Sequence, residues 1–503
     1  MASLIRDSIQ TMGNPNSTTT QDQDIIKSEK SINSISFLKS LKDWWSCPSP
    51  LIYDSTQNLQ IDKYEKAKLN NRIIEYELFR AILPEEIYIK NPVEKITEGT
   101  NSDESSTTET EDLEKIKHKV SGELIDVELD DGTFIHEFYL SNNEETTKEI
   151  HIVIIHGYMA ALGFFLKNIE PLVKIPGVKL HLIDLPGFGN SSRPKFPIEF
   201  LVDPPTKKAK IQQILDIENW FIDKIENWRI KRNITKFKLI GHSMGAYLSC
   251  CYLMKYNLQS NRENLVDQII IVSPMGTESN PTSLINDSRY DINLHFSSNA
   301  LNELKFEDHE ANGEEIIINE EFTTLWEKLG APKFPKNVIL KTIWENNYSP
   351  FQILQKTGPL YSKILSYWSF QRFKNFQTTS TDKNEIIELI LKLHNYSYSI
   401  FNQYQQSGEL AITKFITSEI LAKLPLCDRG LVDFLVDHNI DNYWIYGDKD
   451  WMNYKGGEYI FEKIKNKNSK SITKFEILEN AGHHIYLDNP TLFNQRIIEF
   501  FKL

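Results

Sequence analysis

The sequence predicts an α/β protein built on a mostly parallel sheet with helices on both faces. Six short runs rich in β-branched and aromatic residues alternate with helical stretches, which is the pattern of parallel strands joined by helices. Before these runs, Leu124–Leu129 and Thr133–Leu140 flank Asp130-Asp131-Gly132, a hairpin signal. Together the two hairpin strands and the six runs predict an eight-stranded sheet.

Each of the six runs is bounded by turn residues and is short enough to form one buried strand. The runs are Ile150–Ile155, Lys179–Asp184, Phe237–Ile240, Leu265–Val272, Tyr443–Tyr446 and Phe475–Leu478. The segment Pro490–Phe501 predicts a closing helix, because Pro is favoured in a first helical turn and Asp488 or Asn489 can cap the N-terminus.

Composition and pattern divide the chain into six segments. They are a disordered tail (1–34), an N-terminal helical segment (35–95), an acidic disordered insert (96–117), the first part of the core (118–274), a helical lid (275–440) and the second part of the core (441–503). The lid is predicted because the strand pattern stops between Val272 and Asp441, where long aromatic-rich helical sequence takes its place.

The N-terminal segment contains a short amphipathic stretch at residues 32–45. Ile35, Leu38, Leu41 and Trp45 recur at helical spacing, with a second tryptophan beside them. One interpretation is an interfacial helix, since Trp rings suit the headgroup region of a membrane. The other interpretation is a helix that packs on its own domain, and the sequence leaves both open.

Charge and cysteine content exclude several classes of function. The net charge of −13 argues against nucleic acid as a partner, because phosphate contacts require a surplus of Lys and Arg. The four cysteines (Cys47, Cys250, Cys251 and Cys427) have no zinc-like spacing, so we expect no metal and no cofactor. No apolar run is long enough to span a bilayer, and we expect an intracellular protein.

A nucleophile is predicted where Gly241-His242-Ser243-Met244-Gly245 follows one strand and opens a helix. This G-x-S-x-G pattern is typical of a tight strand-to-helix turn that exposes a reactive serine, here Ser243. The helix N-terminus favours negative charge, so the backbone N–H of Met244 is a candidate oxyanion donor. The backbone N–H of Tyr158, in the loop after Ile150–Ile155, is the second candidate.

The acid and the base of a catalytic triad are predicted at the ends of the last two strands. Asp450 is the expected acid and Asp448 is its competitor, since both follow Tyr443–Tyr446. His483 is the expected general base, with its neighbour His484 as the alternative. The chain order Ser243, Asp450, His483 is the order of the α/β-hydrolase fold, in which a lid is inserted before the acid-bearing strand end.

Several motifs resemble one subfamily of α/β-hydrolases. They are an H-x4-D signature from His483 to Asp488, the lid segments Tyr348-Ser349-Pro350-Phe351, Thr357-Gly358-Pro359-Leu360 and Gln406-Ser407-Gly408-Glu409, and Trp44-Trp45. The subfamily includes a fungal mitochondrial cardiolipin-specific deacylase, fungal relatives described as lysophosphatidic acid acyltransferases, and the animal lipid-droplet lipase co-activator. The co-activator lacks the nucleophilic serine that this chain retains.

The resemblance implies a phospholipid substrate and residence on a peripheral membrane or lipid surface. Its deacylase branch implies cardiolipin and mitochondria, and its other branches imply the cytoplasm or lipid droplets. We therefore expect a phospholipid deacylase. The alternatives are an acyl-CoA-dependent lysophosphatidic acid acyltransferase, a non-catalytic lipid-surface scaffold and a hydrolase of soluble esters. The H-x4-D signature adds little evidence for acyl transfer, because capping of the closing helix is the simpler role for Asp488.

Overall fold

The computed structural model describes residues 33–46, 58–92, 118–144, 148–257, 264–285, 338–373, 383–403, 406–467 and 470–503. The predicted acidic insert (96–117) and residues 1–32 of the predicted tail lie outside these described residues, as does part of the predicted lid between 286 and 337.

One sheet organises the described chain. Its strands are β1 (Ile87–Ile89), β2 (Val120–Glu128), β3 (Phe134–Asn142), β4 (Ile150–Ile155), β5 (Val178–Ile183), β6 (Phe237–His242), β7 (Val266–Val272), β8 (Asp441–Gly447) and β9 (Thr473–Leu478). Their spatial order is β1-β2-β3-β5-β4-β6-β7-β8-β9. Only the pairings of β3 with β2 and with β5 are antiparallel among these strands, so the sheet is mostly parallel, as predicted.

Helices connect the strands and fill the long insertion between β7 and β8. The first group is α1 (Phe37–Ser46), α2 (Asn58–Arg80), α3 (Leu166–Val173), α4 (Lys207–Lys231) and α5 (Met244–Tyr256). The insertion contains α6 (Val338–Glu345), α7 (Pro350–Gln355), α8 (Tyr361–Phe373), α9 (Lys383–Phe401), α10 (Ile412–Phe415) and α11 (Leu431–Asp437). The last helices are α12 (Lys455–Asn466), α13 (Ile485–Asp488) and α14 (Pro490–Phe501).

The sheet has nine strands in the described residues, one more than the eight predicted. The additional strand is β1, which pairs in parallel with the start of β2 through Ile87 and Val120. Three residues are too few to show the alternation from which strands are predicted, although Ile87 and Ile89 are both buried. The other eight strands correspond to the predicted runs.

The parallel centre of the sheet explains why its strands read as continuous apolar runs. Helices cover both faces of such a sheet, so alternate residues have no solvent-facing side. In β4 the last four residues, Ile152–Ile155, are all about 1 % exposed or less. The carboxyl ends of β4, β6, β8 and β9 all lie at one edge, which is where ligands bind in open parallel sheets.

The described chain forms two compact units. Described residues within Met1–Ile82 and Ser349–Gln405 form the first unit, and those within Leu83–Tyr348 and Gln406–Leu503 form the second. The segment predicted as one lid (275–440) is therefore divided, with α7, α8 and α9 belonging to the same unit as the N-terminal helices. In that unit the hydroxyl of Tyr396 on α9 donates to the Glu75 carboxylate on α2 at 3.2 Å.

Helix α1 packs within the first unit and keeps its large apolar side chains exposed, so the interfacial interpretation of the 32–45 segment stays a prediction. Its polar residues pack within the first unit: the hydroxyl of Ser40 donates to the Pro359 carbonyl at 2.6 Å, and Asp43 accepts from Ser362 at 2.6 Å. Its large apolar side chains remain exposed, from 37 % for Leu41 to 79 % for Trp45. The helix is thus anchored through one face and presents apolar groups on the other.

No helix among the residues that the structure describes combines the length and apolarity required to cross a membrane.

Candidate active site

Ser243 sits at the sharp turn between β6 and α5. Its backbone has φ 53° and ψ −117°, a conformation that an L-residue adopts only when the surrounding structure enforces it. Two backbone bonds provide that enforcement: Ser243 N–H donates to the Val272 carbonyl at 2.9 Å, and Met275 N–H donates to the Ser243 carbonyl at 3.2 Å. The serine is 6 % exposed.

The two glycines of the G-x-S-x-G motif are required by close backbone approaches. A Cβ atom on Gly245 would lie 2.3 Å from the carbonyl oxygen of His156, and one on Gly241 would lie 2.7 Å from Ala246 Cα. Neither distance can be relieved by a side-chain rotation, because the opposing atoms belong to the backbone. The glycines therefore let α5 start directly against the end of β4.

The structure brings Ser243, His483 and Asp450 together. His483 Nε2 lies 3.0 Å from Ser243 Oγ, and His483 Nδ1 lies 3.0 Å from Asp450 Oδ1. The Asp450 side chain is 1 % exposed and the His483 side chain 9 %. Asp450 Oδ1 also accepts from Met452 N–H at 2.9 Å, which fixes the carboxylate toward the imidazole. Each residue comes from a different loop at the same sheet edge.

The competitors for acid and base occupy other positions. Asp448 is exposed, and its carboxylate accepts the backbone N–H of Ala481 at 2.9 Å, a bond that lowers the pKa of Asp448. His484 is the N-cap residue of the short helix α13, where its carbonyl accepts from the backbone N–H of Leu487 and of Asp488. The structure therefore places His483 against Ser243 and Asp450 against His483, and these are the residues preferred from the sequence.

The loop with the predicted oxyanion donor Tyr158 lies beside the nucleophile. A Cβ atom on Gly157 would be 2.7 Å from Ser243 Cβ, so the backbone there approaches the serine directly. The hydroxyl of Tyr158 donates to the Glu409 carbonyl at 3.2 Å, and its ring meets Phe188 edge-on at 5.7 Å. Met244, the other predicted donor, is the first residue of α5. First-turn amides have no intrahelical acceptor, so they remain available to an anion.

The buried side chains of His156 and Asp184 hold the loops next to the site. His156 Nδ1 donates to the Gly157 carbonyl at 2.8 Å while its Nε2 accepts from Leu185 N–H at 3.0 Å. Burial lowers the pKa of His156 to about 4, which keeps this ring neutral. Asp184 accepts backbone N–H groups of Leu162 and Asn190 at 2.8 and 2.6 Å. Both side chains therefore hold backbone groups of these loops.

Asp488 has a different role from the helix cap predicted for it. Asn489 caps α14, because its side-chain oxygen accepts from Leu492 N–H at 3.3 Å. The Asp488 carboxylate instead accepts the backbone N–H of Gly482 at 2.9 Å. The expectation failed because the two adjacent residues are equally good caps in sequence, and only the three-dimensional position of the preceding loop separates them.

Sequence reasoning missed His242, the residue before the nucleophile. Its Nε2 donates to the backbone carbonyl of His483 at 2.9 Å, and its ring lies 4.7 Å from the His483 ring. The only available signal was its position inside the G-x-S-x-G motif, which any residue type can occupy. His242 thus links the nucleophile strand to the loop of the base.

The Gln406-Ser407-Gly408-Glu409 motif forms a turn within the second unit, and residues 407–409 of this turn are buried. The buried Glu409 carboxylate accepts the backbone N–H of Gln406 and of Ser407 at 2.5 and 3.0 Å. Desolvation raises the pKa of Glu409. A Cβ atom on Gly187 would lie 2.4 Å from Gly408 N, so the two backbone segments pass too close together for a side chain at this position. The carbonyl that receives the Tyr158 hydroxyl belongs to this anchored turn.

Comparison with known proteins extends these observations. The sequence profile of the alpha/beta hydrolase fold matches residues 150–490. The protein ECM18 of Saccharomyces cerevisiae is 27 % identical over 419 residues, covering 77 % of this chain and 80 % of its own. A probable 1-acylglycerol-3-phosphate O-acyltransferase of Oryza sativa subsp. japonica is 26 % identical, covering 73 % and 70 % respectively. The human (lyso)-N-acylphosphatidylethanolamine lipase is 26 % identical, covering 69 % and 78 %.

The profile match covers more than half of the chain and confirms the predicted fold class. The relatives confirm the resemblance to lipid-acting hydrolases and acyltransferases that the H-x4-D signature and the insertion motifs indicated. The strand-to-helix turn at Ser243 and the chain order of Ser243, Asp450 and His483 agree with this fold. This chain is a member of the alpha/beta hydrolase fold family.

Proposed function

We propose that the chain is a serine hydrolase that cleaves acyl ester bonds of phospholipids through an acyl-enzyme. The observation that carries this proposal is the hydrogen-bond chain from Asp450 through His483 to Ser243, with 3.0 Å at each step. A serine hydroxyl is a weak nucleophile unless an adjacent base accepts its proton, and this arrangement supplies that base.

The acylation step follows from this geometry. His483 Nε2 accepts the proton of Ser243 Oγ as the oxygen attacks the ester carbonyl, and the carbonyl oxygen becomes negatively charged. Backbone N–H groups of Tyr158 and Met244 stabilise that oxyanion. Asp450 holds the proton of His483 on Nδ1 and stabilises the imidazolium. Collapse of the intermediate breaks the ester C–O bond, and His483 protonates the departing lysophospholipid oxygen.

Deacylation repeats the sequence with water as the nucleophile. His483 removes a proton from water as its oxygen attacks the acyl-serine carbonyl, and the same N–H groups stabilise the second oxyanion. Collapse releases the fatty acid, and the proton on His483 returns to Ser243. The net reaction consumes one water and yields a fatty acid and a lysophospholipid, with no cofactor in either step.

Two observations support a phospholipid as the substrate. The relatives carry names of enzymes that act on acylglycerol phosphates or on N-acylphosphatidylethanolamine. Helix α1 presents exposed apolar side chains, including Trp44 and Trp45, which suit insertion into a lipid surface. We accordingly propose a peripheral membrane enzyme. The resemblance to the deacylase branch narrows the proposed substrate to cardiolipin and the location to mitochondria.

Acyl transfer to lysophosphatidic acid is the second candidate. The names of relatives from rice and yeast favour it. The chemistry differs in two respects: acyl-CoA, rather than a phospholipid, is the acyl donor, and a lysolipid hydroxyl, rather than water, attacks the acylated serine. The two candidates are distinguished by their products, since hydrolysis yields free fatty acid and transfer yields phosphatidic acid with free CoA.

Substitution of the nucleophile tests the proposal. Ser243→Ala removes the attacking oxygen, and we expect fatty-acid release from phospholipid vesicles to fall by at least about 10³-fold. Ser283→Ala, which removes another buried hydroxyl from the same unit, is the matched control and should retain activity. Retention of fatty-acid release in Ser243→Ala would reject the proposal.

The same assay can rank substrates and reactions. Vesicles of phosphatidylcholine with or without cardiolipin, phosphatidic acid or N-acylphosphatidylethanolamine test the headgroup. We expect monolysocardiolipin to be the main lysolipid product from a mixture. Addition of lysophosphatidic acid and acyl-CoA tests the transfer reaction, for which formation of phosphatidic acid is the direct readout, because hydrolysis of acyl-CoA would also release CoA.

A further inference from the structure

The turn that carries His483 is held by three side chains from three other segments. The backbone N–H of Ala481 donates to the carboxylate of Asp448 at 2.9 Å, and that of Gly482 donates to Asp488 at 2.9 Å. The backbone carbonyl of His483 accepts from His242 Nε2 at 2.9 Å. Three consecutive residues thus each make one backbone hydrogen bond to a side chain, and these three bonds restrain the turn.

Asp488 is the central member of this arrangement. It binds the amide immediately before the base, and the intervening short helix α13 fixes its distance from that amide. The fit is close, because a Cβ atom on Gly482 would be 3.3 Å from Asp488 Oδ2. Since Asn489 caps the following helix, the carboxylate of Asp488 is not needed there.

The position of the His483 ring must satisfy two bonds at once. Its Nδ1 and Nε2 each lie 3.0 Å from an oxygen, and these oxygens belong to side chains on separate loops. Displacement of the backbone by about 1 Å lengthens at least one of these bonds, and misplacement of that size can cost about 10²-fold in rate. A restraint on the residue before the base therefore acts directly on catalysis.

We propose that Asp488 is a positioning residue for His483 and that the H-x4-D signature in this chain is a restraint on the base rather than an acyl-transfer centre. The proposal rests on the function proposed above. The Asp488 Oδ2 atom accepts the backbone N–H of Gly482 and does not act on substrate. Every reaction that uses His483, hydrolysis or transfer, consequently depends on Asp488 to the same extent.

Two substitutions of Asp488 separate positioning from other roles. Asp488→Ala removes the acceptor, and we expect kcat for a short-chain p-nitrophenyl ester to fall about 10²-fold, with KM within about twofold. Asp488→Asn retains an oxygen acceptor for Gly482 N–H, so we expect it to recover kcat to within about threefold of the unsubstituted chain. A transfer-specific role predicts the opposite, namely loss of acyl transfer with normal hydrolysis in both variants.

Asn489→Ala controls for simple destabilisation of this region. It removes the cap of α14 and should lower the melting temperature by an amount comparable to Asp488→Ala, because each variant loses one side-chain acceptor of a backbone N–H. We expect kcat of Asn489→Ala to stay unchanged. Equal loss of kcat in Asn489→Ala and Asp488→Ala would overturn the proposal, since the effect would then be one of stability.

A spectroscopic readout tests the proposal without any substrate. The proton that His483 Nδ1 shares with Asp450 gives a low-field ¹H NMR resonance when the bond is short and shielded from solvent. We expect the resonance to be present in the full chain, in Ser243→Ala, in Asp488→Asn and in Asn489→Ala, and to broaden or disappear in Asp488→Ala. An unaltered resonance and unaltered kcat in Asp488→Ala would overturn the positioning role. Full hydrolytic activity in Ser243→Ala would instead overturn the proposed function.

Discussion

Helices α1 and α5 are both rich in large apolar residues, yet the molecule uses them in opposite ways. In α5, from Met244 to Met254, every residue is buried, and no polar face is present. In α1 only Ser40 is buried, and five large apolar side chains are exposed. A helix that is apolar all round belongs in a core, whereas one with a single apolar face requires a partner surface.

Large apolar side chains are therefore buried in one of these helices and exposed in the other. The buried helix α5 holds the nucleophile turn rigidly, because its first residues pack against the end of β4. The exposed face of α1 has no such role in the described residues. It resembles the interfacial helices that lie in the headgroup region of a lipid surface. Chemistry and lipid attachment should therefore be separable by substitution.

The largest effect is expected at the buried acid. Asp450→Asn keeps the shape of the side chain but favours the wrong tautomer of His483, so we expect kcat to fall about 10⁴-fold on every ester. Asp433→Asn, on helix α11, is the matched control and should leave kcat unchanged. Steady-state kinetics with a soluble ester provides the measurement. A near-normal kcat in Asp450→Asn would show that Asp450 is not the acid of the triad.

An intermediate effect is expected on α1. Replacing Trp44 and Trp45 with Ser removes two exposed rings, and we expect activity on phospholipid vesicles to fall about tenfold while soluble-ester activity stays unchanged. Ile230→Ser, which alters an exposed apolar residue on α4, is the control. Vesicle flotation provides a direct measure of binding. Equal losses on both substrates would contradict the separation of attachment from chemistry.

The smallest effect concerns the pH dependence of the first unit. Burial lowers the pKa of His394 to about 3, and its ring lies within 3.3 Å of the hydroxyls of Ser362 and Ser369. Because the folded pKa is below the unfolded value of 6.5, the stability contributed by the neutral ring is complete above that pH and is lost as the pH falls toward 3.

At pH 5 the free energy of unfolding of this unit is therefore lower by about 2 kcal/mol than it is well above pH 6.5, because the unfolded ring binds a proton and the folded ring does not. We therefore expect amide hydrogens of α9 to exchange faster at pH 5 than at pH 7, after correction for intrinsic rates. The pH sensitivity should diminish in His394→Gln, which has no titrating ring. An unchanged dependence in that variant would show that other groups control the acid response of this unit.

Periodic features of the fold were predictable from sequence, and long-range features were not. The strands of β-branched residues, the helix Pro490–Phe501 and the order Ser243, Asp450, His483 follow from local patterns. The strand Ile87–Ile89 was missed because three residues carry no periodicity. The contacts of Asp488 and His242 with the base loop depend on chain segments far apart, about which local pattern contains no information.

The exposure of the apolar side chains on α1 could not be predicted from the sequence either. The spacing of Leu38, Leu41 and Trp45 predicted a helix with an apolar face, which is correct, but the same spacing fits a helix buried through that face. The structure shows that Ser40 and Asp43 make the packing contacts instead. A helix anchored through its polar side could not be distinguished by pattern from one anchored through its apolar side.

Covalent labelling can show whether Ser243 is a nucleophile that His483 activates. A fluorophosphonate reacts with activated serines, and mass spectrometry of the digested protein locates the label. We expect labelling of Ser243 in the full chain and at least about a 10³-fold slower reaction in His483→Ala. Absence of labelling at Ser243, or labelling that does not depend on His483, would show that Ser243 is not such a nucleophile.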